Sequence, residues 1–216
     1  RDCSLSAAIT LPTPKNGGQL LDAVADVVRQ IVAAVGSVEA VGVGLPSLIE
    51  QPSGVVRASA NIDLAEVNAA QELHRRIGLP IVLDNDGNLA TIAEHRAGAG
   101  RGANNVVMVL LGTGVGGGVI IDGTPMRGGM GRGAEIGHMV VQADGPRCQR
   151  NCPNRGCLET MASGTAIARD SGLEPREVVR RAHDGNAAAI EVLRRAGRSL
   201  GAGLSSLANL FSPDLF

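Results

Sequence analysis

A tight group of metal-binding residue types constrains this chain more than any other feature of its sequence. Three of its four cysteines, Cys148, Cys152 and Cys157, lie within ten residues, and His138 stands ten positions before the first of them. Zinc takes four ligands from thiolate sulfur and imidazole nitrogen, and three cysteines with one histidine close a tetrahedron. The alternative is three unrelated buried thiols, but cysteine is scarce elsewhere and the spacing resembles that of zinc loops. We therefore predict a structural Zn2+ site with His138, Cys148, Cys152 and Cys157 as ligands.

The composition argues against several classes of protein. Lys15 is the only lysine, which excludes a Walker-type phosphate loop and argues against a Schiff-base enzyme. Trp and Tyr are absent and the formal net charge is −1, so we expect no nucleic-acid partner for this chain. No apolar run approaches the about 20 residues that span a bilayer, so we expect no membrane partner. Four cysteines, three of them clustered, suit a reducing compartment, which favours a cytoplasmic protein.

Strand and helix patterns alternate in the first part of the chain. The strand patterns cover 40–45, 55–59 and 81–83, and the helical patterns cover 20–35, 63–77 and 86–97. Asp63 and Glu66 form a capping-box pattern for the second helix. The alternation predicts an α/β domain with a largely parallel sheet, in which ligands bind beyond the carboxyl ends of the strands. Asn85 and Asp86 lie at such an end.

A glycine-rich segment at 97–102 is the best hinge candidate in the chain. We therefore predict a partial N-terminal α/β lobe at 1–98 and a partial C-terminal α/β lobe with the zinc loop at 99–216. The C-terminal lobe begins with a continuous apolar strand at 106–111, and Asp122-Gly123 predicts a hairpin turn after the next strand. The lobe ends in three helical patterns, at about 164–170, 175–184 and 186–210. The other histidines, at 74, 95 and 183, lie on polar helix faces, so we expect them to be solvated.

A second glycine-rich stretch, 112–118, joins the apolar strand to the next one. Glycines let backbone N–H groups approach an anion closely, and Thr113 adds a hydroxyl donor. The alternative is a tight hairpin that needs glycine only for its positive φ angles. As a phosphate site, the loop offers the candidate residues Gly112, Thr113, Gly114, Gly116 and Gly117.

Three carboxylates stand at positions that suit chemistry on a polyol. Glu135 precedes His138 by three residues and Glu159 follows Cys157 by two, so a folded zinc loop brings both carboxylates toward the histidine. The hydroxyl groups of a sugar need several hydrogen-bond acceptors fixed in space. Asp86 precedes a helix, where an aspartate either caps the helix or, being ionised at neutral pH, can accept a proton.

These motifs together resemble the signature of the ROK family of bacterial sugar kinases, repressors and open reading frames. Glu-Ile-Gly-His at 135–138 precedes a cysteine cluster that ends Arg-Gly-Cys-Leu-Glu at 155–159. The usual family core is Cys-x-Cys-Gly-x-x-Gly-Cys-x-Glu, whereas here three residues separate the first two cysteines. Asn-Asp-Gly-Asn at 85–88 resembles the family motif Asn-Asp-x-Asn, and Ser-Ala-Asn at 59–61 loosely resembles Ala-Pro-Asn. The stretch 112–118 resembles the second phosphate loop of actin-like ATPases.

The resemblance implies an actin-like ATPase (ribonuclease H-like) fold with two lobes and an ATP-dependent hexose kinase of carbohydrate metabolism and glycolysis. The expected reaction is that of a glucokinase, which phosphorylates glucose at the 6-hydroxyl from ATP and Mg2+, with Asp86 as the general base. The residues that the resemblance assigns to the sugar are Asn61, Asn85, Asp86, Glu135, His138 and Glu159. The expected partners are the small-molecule sugar, ATP and, for the full-length protein, further copies of itself in a dimer or tetramer.

Two elements of the family's kinases are missing from this sequence. One is the Asp-x-Gly-Gly-Thr hairpin of the first phosphate site, and the other is the glycine-rich adenosine site after the long helix. We therefore expect a central fragment, truncated at both ends, that does not turn over ATP by itself. Two alternatives stay open at this point: the sugar-sensing domain of a ROK transcriptional regulator, and an N-acetylhexosamine kinase.

Overall fold

The computed structural model describes residues 8–59, 62–148 and 152–216. The chain divides into two compact units, the first running to Leu89 and including Arg127–Gly133, the second comprising Ala90–Met126 and Ala134–Phe216. The boundary after Leu89 lies within a helix and not at the glycine-rich segment 97–102, and the assignment of lobes at 1–98 and 99–216 stays a prediction. In the described parts of the chain, no helix has the length and apolar character needed to cross a bilayer.

The first unit combines helices with two small sheets. Its helices are α1 (Gly17–Val35), α2 (Ala69–Ile77) and the beginning of α3 (Asp86–Ala97), and its strands are β1 (Val41–Leu45), β2 (Ser47–Glu50), β3 (Val55–Ser59), β4 (Val67–Asn68) and β5 (Ile81–Asn85). β1 and β5 pair in parallel, whereas β2, β3 and β4 form an antiparallel sheet. The prediction of a largely parallel sheet is therefore wrong for the described strands, although the parallel pair does carry Asn85 at its carboxyl end.

Helix α1 shows how the core of this unit forms. Asn16 caps the helix, since its Oδ1 accepts the N–H of Gln19 at 3.0 Å, and Gly36 ends it at a φ of 91°. Its buried apolar residues recur at helical spacing and join one hydrophobic cluster with both sheets. The cluster comprises Leu20, Leu21, Val43, Leu45, Ile49, Val56, Ile62, Leu64, Ala69, Leu73 and Leu83. Because β1 and β5 both contribute side chains to this cluster, the cluster fixes the position of the strand pair and with it the carboxyl end of β5.

The start of helix α2 differs from the sequence prediction. The capping-box pattern at Asp63 and Glu66 does not begin a helix, since Glu66 has a φ of 61° and the next two residues pair with β3 as strand β4. Asn68 is the actual N-cap, and its Oδ1 accepts the N–H of Gln71 at 3.0 Å. Pairing with a neighbouring strand therefore overrides the local helix signal.

The second unit is an antiparallel sheet covered by helices. Its elements after α3 are β6 (Val106–Leu111), β7 (Val115–Ile121), β8 (Thr124–Pro125), a 3-10 turn (Ile136–His138), α4 (Leu158–Ala162), α5 (Gly164–Ser171), α6 (Pro175–His183) and α7 (Ala187–Phe211). β6 and β7 form a hairpin from Val106 opposite Ile120 to Leu111 opposite Val115. The hairpin predicted at Asp122 and Gly123 is confirmed, because both have positive φ angles, 49° and 70°, as such turns require.

The core of the second unit places the 3-10 turn and helix α4 against the β6–β7 hairpin. The buried cluster comprises Val107, Val115, Val119, Ile136, Leu158, Ala162 and Leu207. Helix α7 approaches α4 closely at Gly203, where an added Cβ would lie 2.9 Å from Leu158 Cδ2. Since Ile136 and Leu158 flank the predicted metal ligands in sequence, this core fixes both ends of the metal-binding segment.

Candidate functional site

The start of helix α3 carries two of the residues that the sequence assigns to the sugar. Asn85 Oδ1 accepts the backbone N–H groups of Gly87 at 2.8 Å and of Asn88 at 3.2 Å, so Asn85 caps the helix. Asp86 is the first helical residue, its side chain is exposed, and its Oδ1 accepts the N–H of Gly87 at 2.9 Å. The main capping role therefore belongs to Asn85, which leaves the exposed carboxylate of Asp86 in a position to accept a proton from a bound hydroxyl.

Asp84, which the sequence analysis did not single out, lies buried directly beneath this helix start, with 3% of its surface exposed. Its Oδ1 accepts the backbone N–H of Asn85 at 2.8 Å and the side-chain amide of Asn88 at 3.0 Å. Its Oδ2 lies 2.8 Å from Arg127 Nε and 2.7 Å from Arg127 Nη2. The only feature of the sequence that could have indicated Asp84 is that an acidic residue stands near the end of a buried strand. A carboxylate buried there needs a cation as partner. Nothing local in the sequence indicated Arg127 as that cation.

The four predicted metal ligands come together in the second unit. The ligand atoms of His138, Cys148, Cys152 and Cys157 all lie within 4.8 Å of one another. Cys152 Sγ is 3.9 Å from Cys157 Sγ, and Cys148 Sγ is 3.5 Å from His138 Nδ1. With metal–sulfur bonds of about 2.3 Å and metal–nitrogen bonds of about 2.0 Å, neighbouring ligands of a tetrahedral zinc ion lie roughly 3.5–3.8 Å apart. The spacing and the donor types therefore fit such an ion, with Cys148 included.

Antiparallel bridges between Val140 and Cys157 and between Arg147 and Arg155 form a small hairpin, the metal-binding hairpin, that carries the cysteines. The N–H of Cys148 donates to Asn154 O at 2.8 Å. Gly156 has a φ of 59°, and an added Cβ there would lie 1.6 Å from Gln142 O, so only glycine fits. The residues that lengthen the first cysteine spacing, 149–151, lie outside the described residues.

Burial of the thiols favours their neutral form when no cation is bound. Burial, together with hydrogen bonds to the thiols of Cys157 and Cys152, raises the pKa of Cys148 to about 12. Burial also raises the pKa of Cys157 above its usual value. Without a cation these thiols stay protonated at neutral pH, whereas a coordinated metal ion deprotonates its thiol ligands. The cluster therefore has the burial, donor types and spacing that a metal ion completes.

Glu159 lies in the first turn of helix α4 and contacts the glycine loop. Its Oε2 accepts the backbone N–H of Val115, the first residue of β7, at 3.0 Å. A Cβ at Gly114 would lie only 2.2 Å from the same oxygen, so the carboxylate occupies space that a side chain at 114 would need. This direct link between the metal-binding hairpin and the glycine loop was not expected from the sequence, which assigned Glu159 to the sugar.

The glycine loop consists of an exposed turn followed by a paired strand. Gly112 and Thr113 are exposed, and helix α5 holds the turn, since the N–H of Gly164 donates to Gly112 O at 2.8 Å. Gly116 and Gly117 lie within β7 and pair with β6. The turn at 112–114 is therefore the part of the candidate phosphate site that an anion can approach.

Gly117 has a packing reason to be glycine. Its φ is 153°, and an added Cβ would lie 2.0 Å from Met108 O. The positive φ that the alternative explanation requires is therefore found at Gly117, which lies within β7, and not at Gly112 or Gly114 in the turn.

Glu135 directly precedes the 3-10 turn of the second unit, and His138 is its last residue. The side chain of Glu135 is exposed and that of His138 is half-buried. The N–H of His138 donates to Glu135 O at 3.0 Å, which fixes the spacing of the two residues. Because Nδ1 of His138 faces Cys148 Sγ, the Nε2 atom of the same ring remains for another partner.

The residues assigned to the sugar are distributed over both units. Asn85 and Asp86 belong to the first unit, and Glu135, His138 and Glu159 belong to the second. Asn61 lies outside the described residues.

Comparison with known proteins identifies the family to which this chain is similar. A sequence model of the ROK family matches residues 5–216. A glucokinase from Streptomyces coelicolor is 34% identical over 230 residues, which cover 95% of this chain and 71% of that protein. The crystal structure of a ROK family glucokinase from Streptomyces griseus in complex with glucose and AMPPNP matches with a TM-score of 0.80 at 34% identity, covering 93% of this chain and 71% of that one. A xylose repressor from Bacillus subtilis is 28% identical over 200 residues, 90% of this chain and 51% of the repressor.

Proposed function

The chain belongs to the ROK family, whose sugar kinases have the actin-like ATPase fold, and we propose that the protein that carries it transfers the γ-phosphoryl group of ATP to a hexose. The specific reaction that we propose is phosphorylation of glucose at the 6-hydroxyl. The single observation that carries the proposal is the exposed carboxylate of Asp86 at the first position of α3, with the helix capped by Asn85. The glucokinase relatives support a hexose as acceptor, and the complex with glucose and AMPPNP supports ATP as donor.

In the proposed reaction, Asp86 accepts the proton of the sugar hydroxyl as the hydroxyl oxygen attacks the γ-phosphorus atom of ATP. The bond from that phosphorus to the β,γ-bridging oxygen breaks, and ADP leaves. Phosphoryl transfer needs little covalent help from the protein, so positioning and charge neutralisation dominate its catalysis. Mg2+ bound to ATP would neutralise charge on the phosphates. The backbone of the exposed turn at Gly112–Gly114 is our candidate for a phosphate contact, with the hydroxyl of Thr113 as a further donor.

The proposed sugar contacts are the polar side chains that the family resemblance assigns to the sugar. They are Asn61, Asn85, Asp86, Glu135, His138 and Glu159. Asn85 Oδ1 already accepts two backbone N–H groups, and its amide nitrogen lies 3.3 Å from Ser47 O, so we assign it mainly to holding Asp86 in place. His138 would bind the metal ion through Nδ1 and donate to a sugar hydroxyl through Nε2.

We propose Zn2+ as the ion held by His138, Cys148, Cys152 and Cys157. With four protein ligands the ion would have no open position, so it would hold the hairpin together and take no part in the chemistry. What the chain itself supplies here is the orientation of the imidazole ring of His138.

A sugar-responsive transcriptional regulator is the second candidate function. The observation that favours it is the match to the Bacillus subtilis xylose repressor. A regulator would use the same sugar-binding side chains but would not need a general base, so the exposed Asp86 favours the kinase. An N-acetylhexosamine kinase would keep Asp86 and differ only in the group on the 2-position of the sugar.

Turnover assays with a panel of sugars test the proposal. The whole protein that carries this chain, which all the kinetic tests below also use, would be incubated with ATP, Mg2+ and glucose, mannose, xylose, N-acetylglucosamine or N-acetylmannosamine. ADP release would be coupled to NADH oxidation. We expect turnover with glucose. Turnover with an N-acetylhexosamine alone would change the substrate assignment. Sugar-dependent DNA binding without turnover would favour the regulator and contradict the kinase proposal.

A further inference from the structure

The ion pair between Asp84 and Arg127 joins two segments that lie far apart in the sequence. Asp84 accepts two hydrogen bonds on each carboxylate oxygen, which fills its capacity as an acceptor. The two on Oδ1 come from Asn85 and Asn88, the residues on either side of the Asp86–Gly87 step that begins helix α3. Arg127 therefore contacts the carboxylate that directly supports the helix start.

Arg127 is itself held by a tight loop in the first unit. The N–H of Gly133 donates to Arg127 O at 2.7 Å, and Gly128 has a φ of 68°. At Gly131, an added Cβ would lie 2.6 Å from the N atom of Gln51, so this loop packs directly on the residue that follows β2. The guanidinium group is therefore presented by an ordered backbone, and its side chain is only 33% exposed.

A buried carboxylate with this arrangement depends on its cation. Taking Asp84 out of water is costly, and removing one partner of a buried pair leaves an uncompensated charge. The carboxylate would then move toward solvent, and the hydrogen bonds that it makes to Asn85 and Asn88 would change. Asp86 lies between those two residues, so any displacement would reach its carboxylate.

We propose that Arg127 is a positioning residue: through Asp84 it fixes the start of helix α3 and so holds the Asp86 carboxylate in its reactive place. The proposal rests on the proposed kinase function, because the consequence for catalysis depends on Asp86 acting as the base. Arg127 makes no contact with substrate in this account. Its effect passes entirely through the buried carboxylate of Asp84.

The first test compares Arg127→Met with Arg127→Lys and with Arg132→Met, an exposed arginine of the same loop that serves as the control. A misplacement of about 1 Å can cost about 10²-fold in rate, so we expect Arg127→Met to lower kcat by up to that factor with the sugar KM nearly unchanged. Lysine restores the charge but not the paired N–H groups, so Arg127→Lys should recover part of kcat. A folded Arg127→Met protein with unchanged kcat would overturn the inference.

The double variant Asp84→Asn/Arg127→Met separates an effect through Asp84 from a direct effect on substrate. Asparagine keeps an acceptor for the Asn85 N–H and removes the buried charge, so the double variant should lose no more activity than the worse single variant. If the double variant loses activity by the product of the two single-variant factors, Arg127 acts independently of Asp84. That result would contradict the inference.

Hydrogen exchange distinguishes this inference from the proposed function itself. The backbone amides of Gly87 and Asn88 should exchange faster in Arg127→Met than in Arg132→Met, whether or not the protein is a kinase. Absence of turnover in the unaltered whole protein would refute the kinase proposal alone. Unchanged exchange at both amides would refute the positioning role of Arg127 alone.

Discussion

Glu159 Oε2 accepts the backbone N–H of Val115 at 3.0 Å, which ties the first turn of α4 to the first residue of β7. Glu159 follows the metal ligand Cys157 by two residues, and Val115 follows the exposed turn of the glycine loop. The metal-binding hairpin and the candidate phosphate turn are therefore linked through one carboxylate. A substitution in the phosphate turn should therefore affect the metal-binding hairpin, and a substitution in the hairpin should affect the turn.

The substitution Gly114→Ala tests this link. The new methyl group would lie 2.2 Å from Glu159 Oε2, so the carboxylate must leave the Val115 N–H. We expect a higher KM for ATP together with weaker glucose binding, measured by steady-state kinetics and calorimetry. Gly201→Ala on helix α7, where an added Cβ has no neighbour within 4 Å, is the matched control. Gly114→Ala with both constants at their original values would contradict the link.

The substitution Gly44→Ala tests how closely the structure holds Asp86. Gly44 pairs with Asp84 in the parallel sheet, and an added Cβ would lie 3.4 Å from Asp86 Cα and 3.2 Å from Leu89 Cδ1. The contact with Leu89 requires a shift of a few tenths of an ångström in the first turn of α3, whereas the contact with Asp86 is at the edge of ordinary van der Waals distance. We therefore expect kcat to fall by less than about 10²-fold. Gly42→Ala in the same strand meets no atom within 4 Å and should leave kcat unchanged. Equal rates for the two variants would mean that Asp86 tolerates such shifts.

The pH dependence of stability should report an ion-pair cluster on helix α6. Hydrogen bonds from Arg180 and Arg181 lower the pKa of Glu177 from 4.5 to about 2. A lowered pKa in the folded state stabilises the protein above pH 4.5, and this contribution is lost as the pH falls toward 2. Glu177→Gln should therefore lower the melting temperature slightly at neutral pH.

The difference between Glu177→Gln and the unaltered protein should shrink between pH 4.5 and pH 2. Glu174→Gln is the control, since Glu174 is exposed on the same helix start and has no ion-pair partner among the described residues. Melting curves by circular dichroism would provide the measurement. A difference that stays constant down to pH 2 would show that the effect of Glu177 is not electrostatic.

Zinc content and sugar affinity should change together. We expect one tightly bound zinc ion per chain, and we expect Cys148→Ser, Cys152→Ser and Cys157→Ser each to weaken glucose binding although no thiol touches the sugar. Structural zinc sites contribute about 10–16 kcal/mol of apparent binding free energy in small peptides, so loss of the ion should disorder the hairpin and with it His138.

Plasma mass spectrometry for metal and calorimetry for glucose would test this coupling on each cysteine variant. Cys3→Ser is the control and should keep both zinc and affinity; Cys3 lies outside the described residues. Zinc-free protein with unchanged glucose affinity would refute the coupling and favour three unrelated buried thiols.

The sequence was most informative where the signal was local. The cysteine spacing alone indicated a four-ligand site, and the ligand atoms of His138, Cys148, Cys152 and Cys157 are indeed grouped within 4.8 Å. The apolar spacing predicted the last helix as 186–210, and the structure has it at Ala187–Phe211. The motifs around these residues led to the ROK family and its actin-like fold, and both are confirmed.

Long-range contacts account for what the sequence analysis missed. Asp84 and Arg127 are 43 positions apart, and no periodicity or motif pairs them. His95, expected to be solvated, donates from Nε2 to Ala103 O at 2.9 Å, a contact made by the loop after its own helix. The strand pairing of Val67 likewise displaced the predicted start of α2. In each case the contact is formed by residues that only the folded chain brings together, so the local sequence did not indicate it.

The measurement that most directly tests the proposed function compares transfer and sugar binding in Asp86→Asn. The amide keeps a hydrogen bond but cannot accept the hydroxyl proton, and removal of a general base typically costs about 10²–10⁴ in rate. We predict that kcat falls by such a factor while calorimetry finds glucose affinity nearly unchanged. The control is Asp122→Asn, an exposed turn residue at a φ of 49° that asparagine tolerates. Glucose binding lost together with turnover, or turnover retained, would contradict the role of Asp86 as the base.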